Sequence, residues 1–281
     1  MIYGIINAFI WAFASIMYKK SLWETRNFLS DSMYQFLWAI FMLIFAICWY
    51  LFLEFQIPNF WIFILLLFTW VLQIFSDLFE QFAYKNEKLS TLAPFWEFRS
   101  IITILLGFII FQDTSLISFL FALSAWWILF SGNINPKTFQ INKYCISMWI
   151  SGFLLALKMI IYGFILVEIT PYNVFFYNIL LVCVLLWIFV IYTKQLSQIK
   201  KFTPKAIQYF SLENIGRLIY TVIVLFLIKN LWVVQAILLG MLFLFASVGF
   251  ARIFLKEKIS KKQKIVLMLV SICISAWVYF W

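Results

Sequence analysis

Apolar residues in this chain fall in long unbroken blocks instead of alternating with polar ones. Polar clusters divide them into ten spans: 2–18, 33–53, 59–84, 90–111, 115–131, 145–166, 172–192, 206–228, 231–254 and 265–281. Each is close to the ~20 apolar residues that an α-helix needs to cross a bilayer. Runs such as 60–68 and 179–191 are apolar on every face. That excludes the short alternating segments of a membrane β-barrel. Three turns are very short, and only Lys85-Asn86-Glu87-Lys88, Gln112-Asp113-Thr114-Ser115 and Lys229-Asn230 mark them. The pattern predicts an all-α membrane protein with ten transmembrane helices.

Composition narrows the class further. Of the 281 residues 66% are hydrophobic, 22% aromatic and 11% charged, with a mean hydropathy of +1.02. Soluble domains average about 45–50% apolar and about 25% charged, so a soluble enzyme, a disordered tail and a coiled coil are excluded. The chain has no histidine, which removes the commonest metal ligand, haem ligation and His-based acid–base chemistry. Cys48, Cys145, Cys183 and Cys273 lie far apart, without CxxC spacing, and predict neither a zinc site nor a redox pair. No Gly-rich phosphate loop and no GxSxG turn occurs. No metal, no cofactor and no ATP-driven step are therefore expected of this chain.

The net charge of +10 sits mainly in short loops, where anionic lipid head groups are better partners than nucleic acid. Sixteen Lys and Arg residues fall in the loops after spans 1, 3, 5, 7 and 9, against Lys229 alone in those after spans 2, 4, 6 and 8. Basic loops stay in the cytoplasm, so both termini are expected outside a multi-pass cell-membrane protein. The first span lacks a basic n-region and a small-residue cleavage site, so it is expected to be retained.

An internal likeness divides the chain. LLGFIIFQDTS (105–115) and FARIFLKEKIS (250–260) each end an apolar run with an acid, Asp113 and Glu257, before a last short span. Five spans is an odd number, so a second copy enters the membrane from the opposite side. The expectation is two inverted five-helix repeats, 1–135 and 136–281, forming one membrane domain. With Trp11 followed by Lys19, Pro94 near the start of span 4, and Leu255-Lys256-Glu257-Lys258-Ile259-Ser260 before the last span, the chain resembles the ten-helix EamA-like branch of the drug/metabolite transporter superfamily. It departs from that family at Gln112-Asp113, where Gly-Glu is usual, and in the outward placement of its termini. The resemblance implies a ten-helix solute transporter.

Ionisable residues inside the spans are the strongest functional signal, because a charge at mid-membrane costs about 2.5–3.5 kcal/mol on the insertion scale and faces a bundle interior or wet cavity. Glu97 and Arg99 lie in span 4, Lys158 in span 6, Glu213 and Arg217 in span 8, and Asp77 and Glu80 in the cytoplasmic half of span 3. Gln73, Asp77, Glu80 and Tyr84 form one stripe at i, i+4, i+7 and i+11, and Tyr209, Glu213, Arg217 and Tyr220 repeat the pattern. Lys158 and Tyr162 share a face, while Glu97 and Arg99 point to opposite sides of their helix. Some of these groups have structural alternatives: Glu213–Arg217 as a helix-joining pair, Asp77 and Glu80 wetted at the interface, Lys158 snorkelling. Trp11, Trp38, Trp96 and Tyr162 are candidate pocket walls, with ordinary packing as the alternative.

The leading expectation is a secondary transporter for a small amino-acid-like or carboxylate-bearing solute, working by alternating access as a monomer or homodimer. The candidate solute-binding residues are Glu97, Arg99, Lys158, Tyr162, Glu213, Arg217, Trp11 and Trp96, with Arg99, Arg217 or Lys158 as anion contact. Glu97 and Glu213 are the candidate proton carriers. Aromatic walls around one carboxylate would instead suit a lipophilic cation. An intramembrane lipid-modifying enzyme using Asp77 and Glu80 is a third reading, but no nucleophile–base set accompanies them, and no enzyme activity is expected.

Overall fold

The computed structural model describes residues 2–25, 29–50, 55–96, 98–111, 116–133, 142–240, 243–258, 260, 261, 264–266, 268–270, 272 and 273. Among these the chain is helical throughout, with no strand: α1 (Ile2–Thr25), α2 (Asp31–Tyr50), α3 (Phe60–Asn86), α4 (Leu89–Trp96), α5 (Phe98–Phe111), α6 (Leu116–Asn133), α7 (Lys143–Glu168), α8 (Pro171–Tyr192), α9 (Pro204–Gly240) and α10 (Phe243–Phe254), with a 3-10 turn, η1, at Gln195–Lys201. Six segments are long and apolar enough to cross a membrane: Asp31–Cys48, Phe60–Asn86, Leu89–Ile110, Lys143–Glu168, Pro171–Tyr192 and Pro204–Asn230. This is an all-α, membrane-embedded chain. The expected boundary at 135/136, the acidic turn at Asp113 and most of the expected last span lie outside the described residues.

Local chemistry sets where the helices begin. Asn59 caps α3 by accepting Ile62 N–H at 2.8 Å, Asn142 caps α7 through Tyr144 N–H at 3.0 Å, and Pro171 opens α8 at a position whose N–H no helix bond needs. One expected turn is absent. Helix α9 runs through Lys229-Asn230 without a break, because the Asn230 amide donates back to the Phe226 carbonyl at 2.7 Å and Lys229 reaches the Leu166 carbonyl on α7. The two polar side chains are satisfied within a continuing helix, and neither residue is a breaker.

The bundle is built from side-by-side pairs: α1 along α9, α3 along α7 and α2 along α8, with α10 against α1 and α4, and α5 against α7 and α9. Close approach is written into small residues. A Cβ on Gly216 of α9 would lie 2.8 Å from the Ala14 Cβ of α1, and one on Gly152 of α7 would lie 3.3 Å from the Arg99 backbone nitrogen. Between α3 and α7, the Ser76 and Ser151 hydroxyls meet at 2.8 Å.

Polar staples close both ends of the bundle. At one end Gln56 accepts Thr170 N–H at 2.8 Å and offers its carbonyl to the Tyr177 hydroxyl at 3.1 Å, while Asn59 donates to Glu168 at 2.6 Å. At the other, Lys85 pairs with Asp31, and the buried Lys19 donates to the Glu87 carbonyl and lies 3.9 Å from Glu257. The Glu257 carboxylate also accepts the first N–H groups of α4, from Leu89 at 3.1 Å and Ser90 at 2.8 Å, where the helix dipole favours an anion.

Candidate functional site

The two polar stripes face each other across the bundle. On α3 the spacing of Gln73, Asp77 and Glu80 puts all three on the side turned to α7 and α9, and each is buried. Residues Glu213 and Arg217 of α9 are one turn apart and also buried, at 0% and 7% exposure. Lys158 and Tyr162 come from α7, Trp11 from α1, Trp38 from α2, and Trp96 and Arg99 from α4 and α5. Gln73, Asp77 and Glu80 of α3, Arg217 of α9 and these side chains surround one void of about 70 Å³, completed by Asn178, Tyr220, Thr221 and a few apolar residues. A water molecule needs roughly 10–15 Å³ of such space, so several fit.

The charges around it are not equally engaged. Arg217 lies 2.8 Å from Glu213 and 3.6 Å from Glu80, and its guanidinium covers the rings of Tyr18 at 4.3 Å and Trp11 at 5.4 Å. Neither ion pair has an N–H aligned on the facing oxygen, so Glu80 Oε1, Glu213 Oε1 and the Arg217 Nε and Nη2 atoms keep unused hydrogen-bonding capacity. Glu213 also accepts the Tyr34 hydroxyl. Lys158 donates to Gln73, which in turn donates to Asp77 at 2.7 Å, and its ammonium sits 5.0 Å over the Tyr162 ring.

Arg99 differs from both. It is buried and stacked 5.0 Å over Trp96, yet among the described residues no carboxylate pairs with it, and its Nε has no hydrogen-bond partner. Other polar atoms of the wall are likewise unpartnered: the indole Nε1 of Trp11, Trp38 and Trp96, and Oδ1 of Asn178. Buried polar atoms are nearly always hydrogen-bonded to protein or water. Such a concentration around one void marks a place that takes water or a polar guest.

The chain matches no known family model and no curated protein. The geometry of the void is therefore what any functional reading has to stand on.

Of the sequence-derived candidates, Trp11, Trp96, Arg99, Lys158, Tyr162 and Arg217 line the void. Glu213 does not; it sits behind Arg217 and bonds to it and to Tyr34. Glu97 lies outside the described residues. Asp77 and Glu80, for which interface wetting was the alternative, are buried in the wall at 5% and 1% exposure. Gln73 and Tyr220, already visible as members of the two stripes, belong to the wall as well. Asn178 and Thr221 carried no pattern that would have singled them out. Among the described residues no cluster of three or more Cys, Asp or Glu could hold a metal ion.

Proposed function

We propose that this chain is a secondary transporter moving a small zwitterionic or carboxylate-bearing organic solute through the central void, by alternating access of two oppositely inserted five-helix halves. Arg99 carries the reading. Among the described residues no carboxylate lies within salt-bridge distance of this buried guanidinium. A buried charge without a close partner costs several kcal/mol, and a carboxylate entering the void would supply that partner with charge-assisted hydrogen bonds. Lys158 and Arg217 are already held by Gln73 and by Glu213 and Glu80, so Arg99 is the anion contact. A solute ammonium then faces Asp77 and Glu80 in the same wall. Glu97 and Glu213 are the proposed proton carriers, Glu213 acting through its hold on Arg217.

The packing scheme supports the two-halves part of the proposal. Exchanging α1 with α7, α2 with α8, α3 with α9 and α4–α5 with α10 turns the α1–α9 contact into α3–α7 and the α5–α7 contact into α1–α10. The α2–α8 and α4–α10 contacts map onto themselves, and all of these contacts occur. Among the described residues no comparable α3–α10 contact mirrors that of α5 with α9. In this reading the helix layout resembles that of the drug/metabolite transporter superfamily, while the basic loops face the cytoplasm and both termini lie outside, the point at which the chain departs from that family.

A lipophilic cation is the weaker alternative. The rings of Trp96, Trp11 and Tyr162 are already covered by Arg99, Arg217 and Lys158. The wall also holds three cations against the two carboxylates Asp77 and Glu80, which disfavours a guest that brings positive charge alone. Thermal protection of the purified protein separates the two. Amino acids or small carboxylates are expected to raise the melting temperature and quaternary amines to leave it unchanged; the reverse ranking overturns the proposal.

A further inference from the structure

A second concave site lies at the end of the bundle that holds the basic loops, away from the central void. Helix α1 contributes Lys20 and Glu24, α9 contributes Lys205 and Tyr209, and the end of α10 contributes Phe254 and Lys256 to a crevice of about 250 Å³. Three lysines against one carboxylate leave it with a net charge of +2. Glu24 is taken by Lys205 at 2.7 Å. Lys20 and Lys256 make no ion pair among the described residues, and the Lys20 ammonium rests 5.4 Å over the Tyr209 ring and 6.0 Å over that of Phe254.

Two further features bear on the ligand. Lys256 has φ = 54°, the left-handed region, and Glu257 N–H closes onto the Ala251 carbonyl at 3.2 Å. That is the helix-ending turn in which glycine is the usual residue and any side chain is strained. A lysine held there keeps a cation at the mouth of the crevice at the expense of backbone comfort. From the same crevice a strip of rings climbs the α1–α10 seam towards the bundle's middle: Phe254 meets Phe250 at 5.6 Å and Phe13 at 6.5 Å, and Phe250 meets Phe9 at 6.0 Å. Phe9 and Phe254 are 50% and 44% exposed.

We propose that this crevice and strip form a binding site for one anionic phospholipid of the bilayer, its phosphate between Lys20 and Lys256 and its acyl chain along the ring strip. The occupant follows from charge and amphipathicity together. A soluble phosphate would use the lysines and leave the aromatic strip unexplained; a zwitterionic lipid would use the strip and leave the +2 charge uncompensated. The inference rests on the chain being membrane-embedded and is independent of what the central void carries.

The test uses delipidated full-length protein in an uncharged detergent, titrated with dioleoylphosphatidylglycerol, dioleoylphosphatidylcholine or glycerol phosphate, with melting temperature as readout. The anionic lipid is expected to raise the melting temperature, and the other two are not. Each lysine removed is expected to weaken binding about fivefold, so Lys20→Gln with Lys256→Gly weakens it roughly 25-fold. The Lys256→Gly change relieves the left-handed strain, which keeps the variant folded, and Lys261→Gln with Lys264→Gln serves as the basic control outside the crevice. Unchanged phosphatidylglycerol affinity in the Lys20/Lys256 variant, an equal loss in the control, or equal shifts with phosphatidylcholine or glycerol phosphate overturns the proposal.

Discussion

Replacing Arg99 and Arg217 by methionine, one at a time, separates a guanidinium kept for a guest from one kept for the fold. Methionine preserves much of the length and apolar stem of each side chain. At Arg217 the substitution strands Glu213 and Glu80, which the guanidinium meets at 2.8 and 3.6 Å. Removing one partner of a buried ion pair costs about 3–5 kcal/mol, because the remaining charge is left uncompensated. At Arg99 no carboxylate within salt-bridge distance is stranded among the described residues. The loss is one stacking contact with Trp96, worth about 0.5–2 kcal/mol, set against relief of an unpaired buried cation. Arg99→Met is therefore expected to melt at or above the parent temperature, and Arg217→Met clearly below it. Solute behaviour should divide differently. Truncating one side of a buried charge pair costs at least ~2 kcal/mol, so Arg99→Met should bind a carboxylate solute at least ~30-fold more weakly in a protection titration and lose uptake into proteoliposomes. An Arg99→Met protein that melts as low as Arg217→Met, or transports like the parent, refutes the assignment.

Packing and loop charge fix two other outcomes. Gly216→Ala sets a methyl 2.8 Å from the Ala14 Cβ; overpacking of this kind costs about 1–3 kcal/mol, and adding Ala14→Gly should restore most of the lost melting temperature if the α1–α9 approach is the cause. A reporter fused to the C-terminus should be reached by an impermeant label from outside intact cells, as the loop charges require; labelling only after lysis reverses the orientation.

The helices were largely legible because a bilayer-crossing helix must be apolar over its whole length, and blocks such as 60–84 and 172–192 carry that signal residue by residue. The run-on at Lys229-Asn230 was not legible. Two polar residues look like a turn until their acceptors are known, and here those acceptors are the Phe226 and Leu166 carbonyls. At the site, spacing revealed which residues share a face: Gln73, Asp77 and Glu80 read as one stripe and stand in one wall. Depth was beyond the spacing. Asp77 and Glu80 look close enough to the basic end for wetting, whereas neighbouring helices enclose them. Partnership was hidden too. Glu213 and Arg217 announce each other at i, i+4, but that Arg99 makes no ion pair among the described residues, while Asp77 and Glu80 stand in the same wall, is revealed only by the assembled bundle.

Glu257 ties together parts of the chain far apart in sequence. Its two oxygens serve the first N–H groups of α4, and Lys19 of α1 stands beside them. One side chain thus meets both a helix start and a buried ammonium, and it cannot abandon one and keep the other. Drawing the end of α10 away from α1 uncaps α4 and takes the carboxylate from Lys19 in the same movement, leaving that ammonium the Glu87 carbonyl alone among its polar contacts with the described residues. The contacts that meet at Glu257 therefore part together, as a knot slips.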